Sequence, residues 1–410
     1  MYDYIKLSMN NKKLRKKIAL FHREVLWGGA EAVLFWMIES LKKDYDLTLF
    51  TTYFPVEFNE KGVKKINQFF GTSLKLGDFQ LKKVYQFLPL YRFFFLKNIL
   101  LSRVAKKVKK DFDLLISSYN EMDLGGKGIQ YIHEPNMKKE ELEKEGIWER
   151  KGWRKSFIYK IYSNYFPKIF SYSEESMKKN LTLVNSFWMR KVIKKIYGIS
   201  AEVLYPPVFA EFEELPFEKK KEGFLCIGRI CHQKRIEKII EILKEVKKDF
   251  PQVHLHIVGP VEDDSYFQKI KPLIQKNKSW IFFEGKIPRE KLEKLILTHK
   301  YGIHGFEKEY FGISIAEMVK GECLVFAPNG GGQIEIVKRK ELIYDSKEDA
   351  IEKIKKVLSD KNLQKDLLNF LKEHSKIFSV DEFKRKTKEI IKKFLERSFK
   401  RTCLLYIDAY

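Results

Sequence analysis

The sequence is short of cysteine, of long apolar runs and of acidic charge, and each shortage narrows the reading. Four cysteines among 410 residues exclude a disulfide framework, so Cys226, Cys231, Cys323 and Cys403 read as free thiols of a reducing compartment. Cys226 and Cys231 lack a second pair at metal-ligand spacing, and cysteine-bound zinc is not expected. No segment reaches about 18 uninterrupted apolar residues, so no membrane-spanning helix is expected. The start, MYDYIKLSMNNKKLRKK, has no apolar signal core and no cleavage site. There is no repeat of solenoid length and no motif of the known nucleic-acid-binding folds.

What is present is a basic, globular chain. Lysine and arginine number 79 against 55 acidic residues, a formal net charge of +24. Such an excess attracts anions, whether phosphorylated substrates or anionic lipid. The lysines are spread along every expected helix, which argues against a single nucleic-acid stripe, and no nucleic-acid partner is expected. With 44% hydrophobic residues the chain can bury two cores, and its length suits two domains.

Short apolar runs alternate with helical periodicity along both halves. Lys17–His22, Asp46–Thr52, Asp113–Ser117, Ile129–His133, Ile169–Ser173, Leu181–Asn185 and Glu202–Tyr205 read as strands of the first half. Gly223–Gly228, Val253–Gly259, Trp280–Glu284, Tyr301–His304, Cys323–Ala327 and Leu342–Asp345 read as strands of the second. Helices are expected over Ala30–Leu41, Phe187–Tyr197, Arg235–Lys247, Lys347–Leu358, Leu363–His374 and Asp381–Phe399. That alternation implies an α/β protein with two Rossmann-like, doubly wound parallel-sheet domains facing a cleft. The expected division is 1–205, a Pro206-Pro207 linker over 206–222, 223–380, and a last helical segment 381–410. Tyr53–Gly77 has no clear pattern. Val84–Lys110 crowds aromatics and leucines before a basic run, which suits either an element at an anionic membrane surface or a core helix.

The densest chemistry lies in Tyr301–Val337, which reads strand, loop, helix, twice over. Ligands bind at the carboxyl ends of such strands. Glu309, in the first loop, and Glu317, along the following helix, could accept hydrogen bonds from the paired hydroxyls of a sugar or ribose. The helix start at Phe311, Gly312 and Ile313, and Gly331 and Gly332 in the glycine turn, offer backbone N–H groups that suit a diphosphate. Gly28 and Gly29 follow the first strand and let a backbone approach an anion closely. His133 ends its strand in YIHEPN, with Glu134 and Asn136 as weaker candidates. Arg229 and Lys234 end another strand, where a cationic pair can neutralise a departing diphosphate. His254 and His256 share one strand face, but no third metal ligand is apparent, so no metal site is expected.

E-x7-E from Glu309 to Glu317, the glycine turn, GGAE, YIHEP and NSFWMRKVIKKIYGISAEVLYPPV together resemble the retaining glycosyltransferases of family GT4, which have the GT-B fold. The wording GIHGFEKEYFGISIAEM is similar to the alpha-1,2-mannosyltransferase type that extends dolichol-linked oligosaccharide. The resemblance implies a hexosyl transfer from a nucleotide sugar, GDP-mannose by preference, to a lipid-linked or glycan acceptor. It implies that Glu317 holds the ribose and Glu309 the sugar. Arg229, Lys234 and the amides of Gly28 and Gly29 take the diphosphate. His133 lies near the reacting carbon, and Gly285 and Lys286 lie beside the base. No resident cofactor or metal is then needed. The expected place is the cytoplasmic, inner face of a membrane, in peripheral contact with anionic lipid.

Overall fold

The computed structural model describes residues 15–87, 94–147 and 172–407, with side chains described for 15–87, 95–147 and 172–397. Two parallel sheets organise them. The first holds β1 (Lys17–Phe21), β2 (Asp46–Thr51), β3 (Gln80–Lys83), β4 (Leu114–Ser117), β5 (Ile129–Ile132), β6 (Leu181–Val184) and β7 (Ala201–Val203) in the order β3-β2-β1-β4-β5-β6-β7. The second holds β8 (Lys221–Ile227), β9 (His254–Val258), β10 (Ile281–Gly285), β11 (His299–Ile303), β12 (Leu324–Pro328) and β13 (Ile343–Tyr344) in the order β10-β9-β8-β11-β12-β13. Every strand pair is parallel.

The run IALF shows why the central strands are apolar throughout rather than alternating. Ile18 and Leu20 enter the core on one face of the first sheet, while Ala19 and Phe21 enter that on the other. Both faces are covered, so neither tolerates a polar residue. Each sheet reverses strand order once, between β1 and β4 and between β8 and β11. Crevices open at the carboxyl ends of such strands. The last helix, Val380–Ile407, leaves the second sheet and packs on the helix Gly29–Leu41, with Phe383, Ile391 and Leu395 entering the first core beside Trp36.

Two stretches that the sequence left open take shape here. Tyr53–Gly77 contains a helix, Glu60–Phe70, begun by Asn59, whose side chain accepts from the Gly62 amide at 2.9 Å. It ends at Gly71, whose φ of +67° is the left-handed conformation of a helix stop. Val84–Lys110 carries features of both its readings: the helix within it has a core face, while Phe87 before that helix and Arg103, Lys107, Lys109 and Lys110 towards the end of the stretch are exposed. Its helix Phe94–Val108 buries Ile99, Leu101 and Ala105 against the sheet. Lys97 is buried as well and pairs with Glu24, so it is not part of the helix's exposed basic surface, which Arg103 and Lys107 form. Arg92, within the same stretch, and most of the Ile169–Ser173 strand lie outside the described residues. Among the described residues, no helix is long and apolar enough to cross a membrane.

Candidate functional site

The candidate residues follow the carboxyl ends of β1, β5, β8, β10, β11 and β12, around the two points of strand-order reversal. On the first sheet, Gly28 caps the helix Gly29–Leu41 with no side-chain hydrogen bond. A Cβ on Gly29 would overlap the Cδ1 of Ile313, so the two domains meet where this helix faces the start of the helix Ile313–Lys320. A larger residue there would have to displace the end of the Ile313 side chain.

Behind these glycines lies a buried polar chain. His22 sits 3.1 Å from Ser118 Oγ and 3.2 Å from Glu31 Oε1. His133 donates from Nε2 to the Ser118 carbonyl at 3.1 Å, with its ring 4.6 Å from that of Tyr131. Burial, with His22 adding its charge, lowers the His133 pKa to about 4. The ring is therefore neutral at physiological pH, and its Nδ1 is left as an acceptor. Sequence reading did not select His22, Glu31 or Ser118. The signal for His22 and Ser118 was a polar residue immediately after an apolar strand; Glu31 lies in the first turn of the helix Gly29–Leu41, within GGAE.

The second domain supplies the opposing wall. Lys234 donates to Glu309 Oε2 at 2.6 Å. Burial alone would raise the Glu309 carboxyl, but Lys234 and His304 hold it well below the usual carboxylate range. His304 Nε2 approaches the same oxygen at 3.2 Å. Its angle is poor for a hydrogen bond, and that nitrogen has no hydrogen-bond partner. Arg229 contacts Glu262 at 2.6 Å and is 61% exposed. Glu134 pairs with Lys139 and reaches the Tyr310 hydroxyl, and the charges of Lys139 and Arg229 oppose the effect of burial on it. First-domain and second-domain groups thus act on one another across the crevice.

Glu317 is placed differently from Glu309. It is buried, burial raises its pKa, and Arg289 donates to its Oε1 at 2.8 Å. Arg289 also holds Glu293 at 2.7 Å and lies 5.1 Å over the Phe209 ring. Gly312, at φ +103°, turns the chain into the helix that carries Glu317. Gly285, at φ +62°, ends β10, and Lys286 follows it.

The glycine turn after β12 corrects an expectation. The Gly332 amide donates to the Glu309 carbonyl at 2.7 Å. A Cβ on Gly331 would lie 2.7 Å from the Glu309 nitrogen, and one on Gly332 would lie 2.9 Å from the Phe311 Cα. These glycines let the turn pack under the acidic loop, and the Gly332 N–H is already used. Gln333 completes the support, donating to the carbonyls of Phe306, Glu307 and Pro328. The Phe311 ring is buried between Tyr205 and Phe378 and packs the core, so only its backbone could face a ligand.

A second correction concerns His254 and His256. A third imidazole does lie beside them: His299, with one ring nitrogen from each of the three within 4.8 Å of the others.

A groove of about 350 Å³ runs along the rim of the acidic loop, between Trp188 and Lys195 of the first domain and Glu307, Lys308 and Gly330 of the second. A larger cavity of about 1070 Å³, between β6, β7 and the last helix, contains none of the candidate residues.

Comparison with known proteins finds glycosyltransferases. Residues 208–374 match the sequence profile of "Glycosyl transferases group 1". A Dictyostelium discoideum protein named GDP-Man:Man(3)GlcNAc(2)-PP-Dol alpha-1,2-mannosyltransferase is 23% identical over 264 residues, 58% of this chain and 52% of that protein. The Homo sapiens protein of the same name is 22% identical over 418 aligned positions, 86% of this chain and 82% of that protein. A glycosyltransferase structure from Rickettsia africae ESF-5 superposes with a TM-score of 0.64 at 18% identity, over 93% of this chain and 99% of that one.

Proposed function

We propose, for a chain that is a GT-B glycosyltransferase with residues 208–374 matching the group 1 glycosyl transferases, that it moves mannose from GDP-mannose, with retention, to a lipid-linked glycan. The observation that carries this reading is the Lys234–Glu309 pair at 2.6 Å, opposite His133 and the Gly28–Gly29 loop. It sets a cation for a diphosphate beside a carboxylate for sugar hydroxyls. The names of the two mannosyltransferase relatives support the donor and acceptor classes.

The roles follow from the charges. Bond cleavage at the sugar's reacting carbon leaves negative charge on the diphosphate. Lys234 is fixed and largely out of solvent, so it stabilises that charge without reorganising. Arg229 is tied only to an exposed partner, Glu262, and such pairs are worth about 0–1 kcal/mol. It can turn to the phosphates at little cost. Glu309, ionised and anchored, accepts from sugar hydroxyls. Glu317 keeps ribose hydroxyls at the crevice floor, with Arg289 holding its other face. Neutral His133 offers Nδ1 to a hydroxyl near the reacting carbon. The chain's own cations do this work, with no resident cofactor.

A membrane-bound acceptor suits the helix Phe187–Tyr197, where Arg190, Lys191, Lys194 and Lys195 accompany a Phe187 that is 49% exposed. Basic residues beside an apolar side chain are the composition that anionic lipid surfaces attract. This face is a second membrane-facing candidate beside the exposed basic residues of Val84–Lys110.

The test is donor turnover. The protein is incubated with GDP-mannose, UDP-glucose or UDP-N-acetylglucosamine, with and without EDTA, and released nucleotide is measured. GDP release should dominate, persist in EDTA and vanish in Arg229→Ala. Preferential UDP release would replace the donor assignment, and loss of turnover in EDTA would overturn the cofactor-free reading.

A further inference from the structure

The second sheet carries a histidine cluster towards the end where β9 and β11 begin, with Glu284, the residue before the base-side candidates Gly285 and Lys286, on its flank. His254 opens β9 and His299 opens β11, with Gly223 of β8 between them. His256 stands two residues further along β9. A Cβ on Gly223 would overlap both His254 and His299, so the bare glycine is what lets the rings meet across the intervening strand. Ring centroids are 5.3 Å apart for His254 and His299, 4.7 Å for His256 and His299, and 5.4 Å for His254 and His256.

The hydrogen bonds sort the nitrogens. His299 Nδ1 donates to the Leu295 carbonyl at 2.7 Å, His256 Nδ1 to Glu284 Oε1 at 2.9 Å, and His254 Nδ1 to the Gln252 carbonyl at 3.3 Å. An acceptor on each Nδ1 fixes the proton there and leaves each Nε2 with a bare lone pair. His299 is 1% exposed, and its Nε2 has no hydrogen-bond partner. A buried, unsatisfied imidazole nitrogen facing two others is costly unless something binds it.

We propose that His254, His256 and His299 form a binding site for a divalent transition-metal ion of the zinc class, distinct from the donor crevice. Three neutral imidazoles suit zinc, copper or nickel and not calcium or magnesium. The cluster needs only a small contraction, because each side chain already lies within 4.8 Å of the others at its ligating atom. The remaining position faces a cavity of about 440 Å³ that His254 and His256 help to line, which gives an entry path and room for a water ligand. Glu284 supplies the outer carboxylate, held from its other side by Lys291 at 2.7 Å. Lys221 and Lys247 also border the cavity, and their charge weakens the site relative to one ringed by acids. A bound ion ties β9 to β11 across β8.

The test uses untagged, chelator-treated protein. Zinc chloride titrated by calorimetry at pH 7.5 should bind with a stoichiometry of one per chain and raise the thermal midpoint, and Co2+ should give a visible d–d absorption band. His254→Gln and His256→Gln, both at half-buried positions, should each weaken binding by about tenfold or more while keeping the zinc-free midpoint. Gly223→Ala, whose Cβ pushes the rings apart, should also weaken binding, and turnover of the donor should be unchanged in His254→Gln. Absence of stoichiometric zinc, or unchanged affinity in His254→Gln and His256→Gln together, would overturn the site.

Discussion

Lys234 and Glu309 belong to loops after different strands, yet their side chains form a 2.6 Å ion pair with both partners largely out of solvent. A Cβ on Gly228 would lie 3.2 Å from the Lys234 Cε, so the end of β8 is kept narrow for the lysine to pass. Breaking such a pair strands a buried charge. Lys234→Met should cost about 3 kcal/mol in chemical denaturation, and Glu309→Gln somewhat less. The double variant Lys234→Met/Glu309→Gln should recover part of that stability, because no charge is then left alone. Donor turnover should fall at least about a hundredfold in all three. If the double variant regained turnover along with stability, the pair would be structural and not part of the chemistry.

His133 gives a signed pH dependence. Its folded pKa is about 4, below the ordinary histidine value of 6.5, because of burial and then of His22. The unfolded chain therefore binds a proton between those values that the native state does not. The stability from neutral His133 is complete above about 6.5 and is lost as pH falls towards 4. Denaturation midpoints measured at pH 7 and pH 5 should differ less in His133→Asn than in the parent. A difference that is the same in both proteins would mean that other groups carry the acid sensitivity.

The parallel architecture was legible because both faces of each sheet are covered. IALF and FLCIG can only be buried strands in such an arrangement, and caps at Ser186 and Gly198 fix the helix Phe187–Tyr197 at both ends. The helix after Asn59 carried the same punctuation, but its lysines hid the buried Val63, Ile66 and Phe70. The site was legible only in part. Strand-end position identified Glu309, Lys234 and His133. It did not reveal that Gly332 spends its amide on Glu309, since that depends on how two loops stack. Nor did it bring His299 to His254, which needs strand order and a glycine in the intervening strand.

The basic face of Phe187–Tyr197 makes a membrane prediction that avoids the core helix. Lys191→Glu/Lys194→Glu reverses two charges on exposed positions, so the fold should be unaffected. Each basic residue near an anionic surface contributes about 1 kcal/mol. Reversing two should lower co-sedimentation with vesicles containing phosphatidylserine by more than about tenfold, and added salt should lower the parent's binding too. Equal sedimentation of parent and variant would remove this helix from the membrane-facing surface.

Glu335 joins the two domains through one carboxylate. Its oxygens accept from the Phe187 amide at 2.9 Å, the Trp188 amide at 2.8 Å and the Tyr205 hydroxyl at 2.9 Å. The amides are first-turn donors of the helix Phe187–Tyr197, which have no partner within the helix, and a negative charge there is favoured. The carboxylate also raises the Tyr205 pKa, after burial, so that hydroxyl stays a donor. Glu335→Ala removes three charge-assisted bonds and should lower stability by about 2–4 kcal/mol, while Tyr205→Phe, losing one, should cost about 1 kcal/mol. Because the contact spans the crevice, Glu335→Ala should also speed limited proteolysis in the segment 206–216 and raise KM for the donor more than it lowers kcat. Unaltered cleavage of that segment in Glu335→Ala would show that the domains are held together elsewhere.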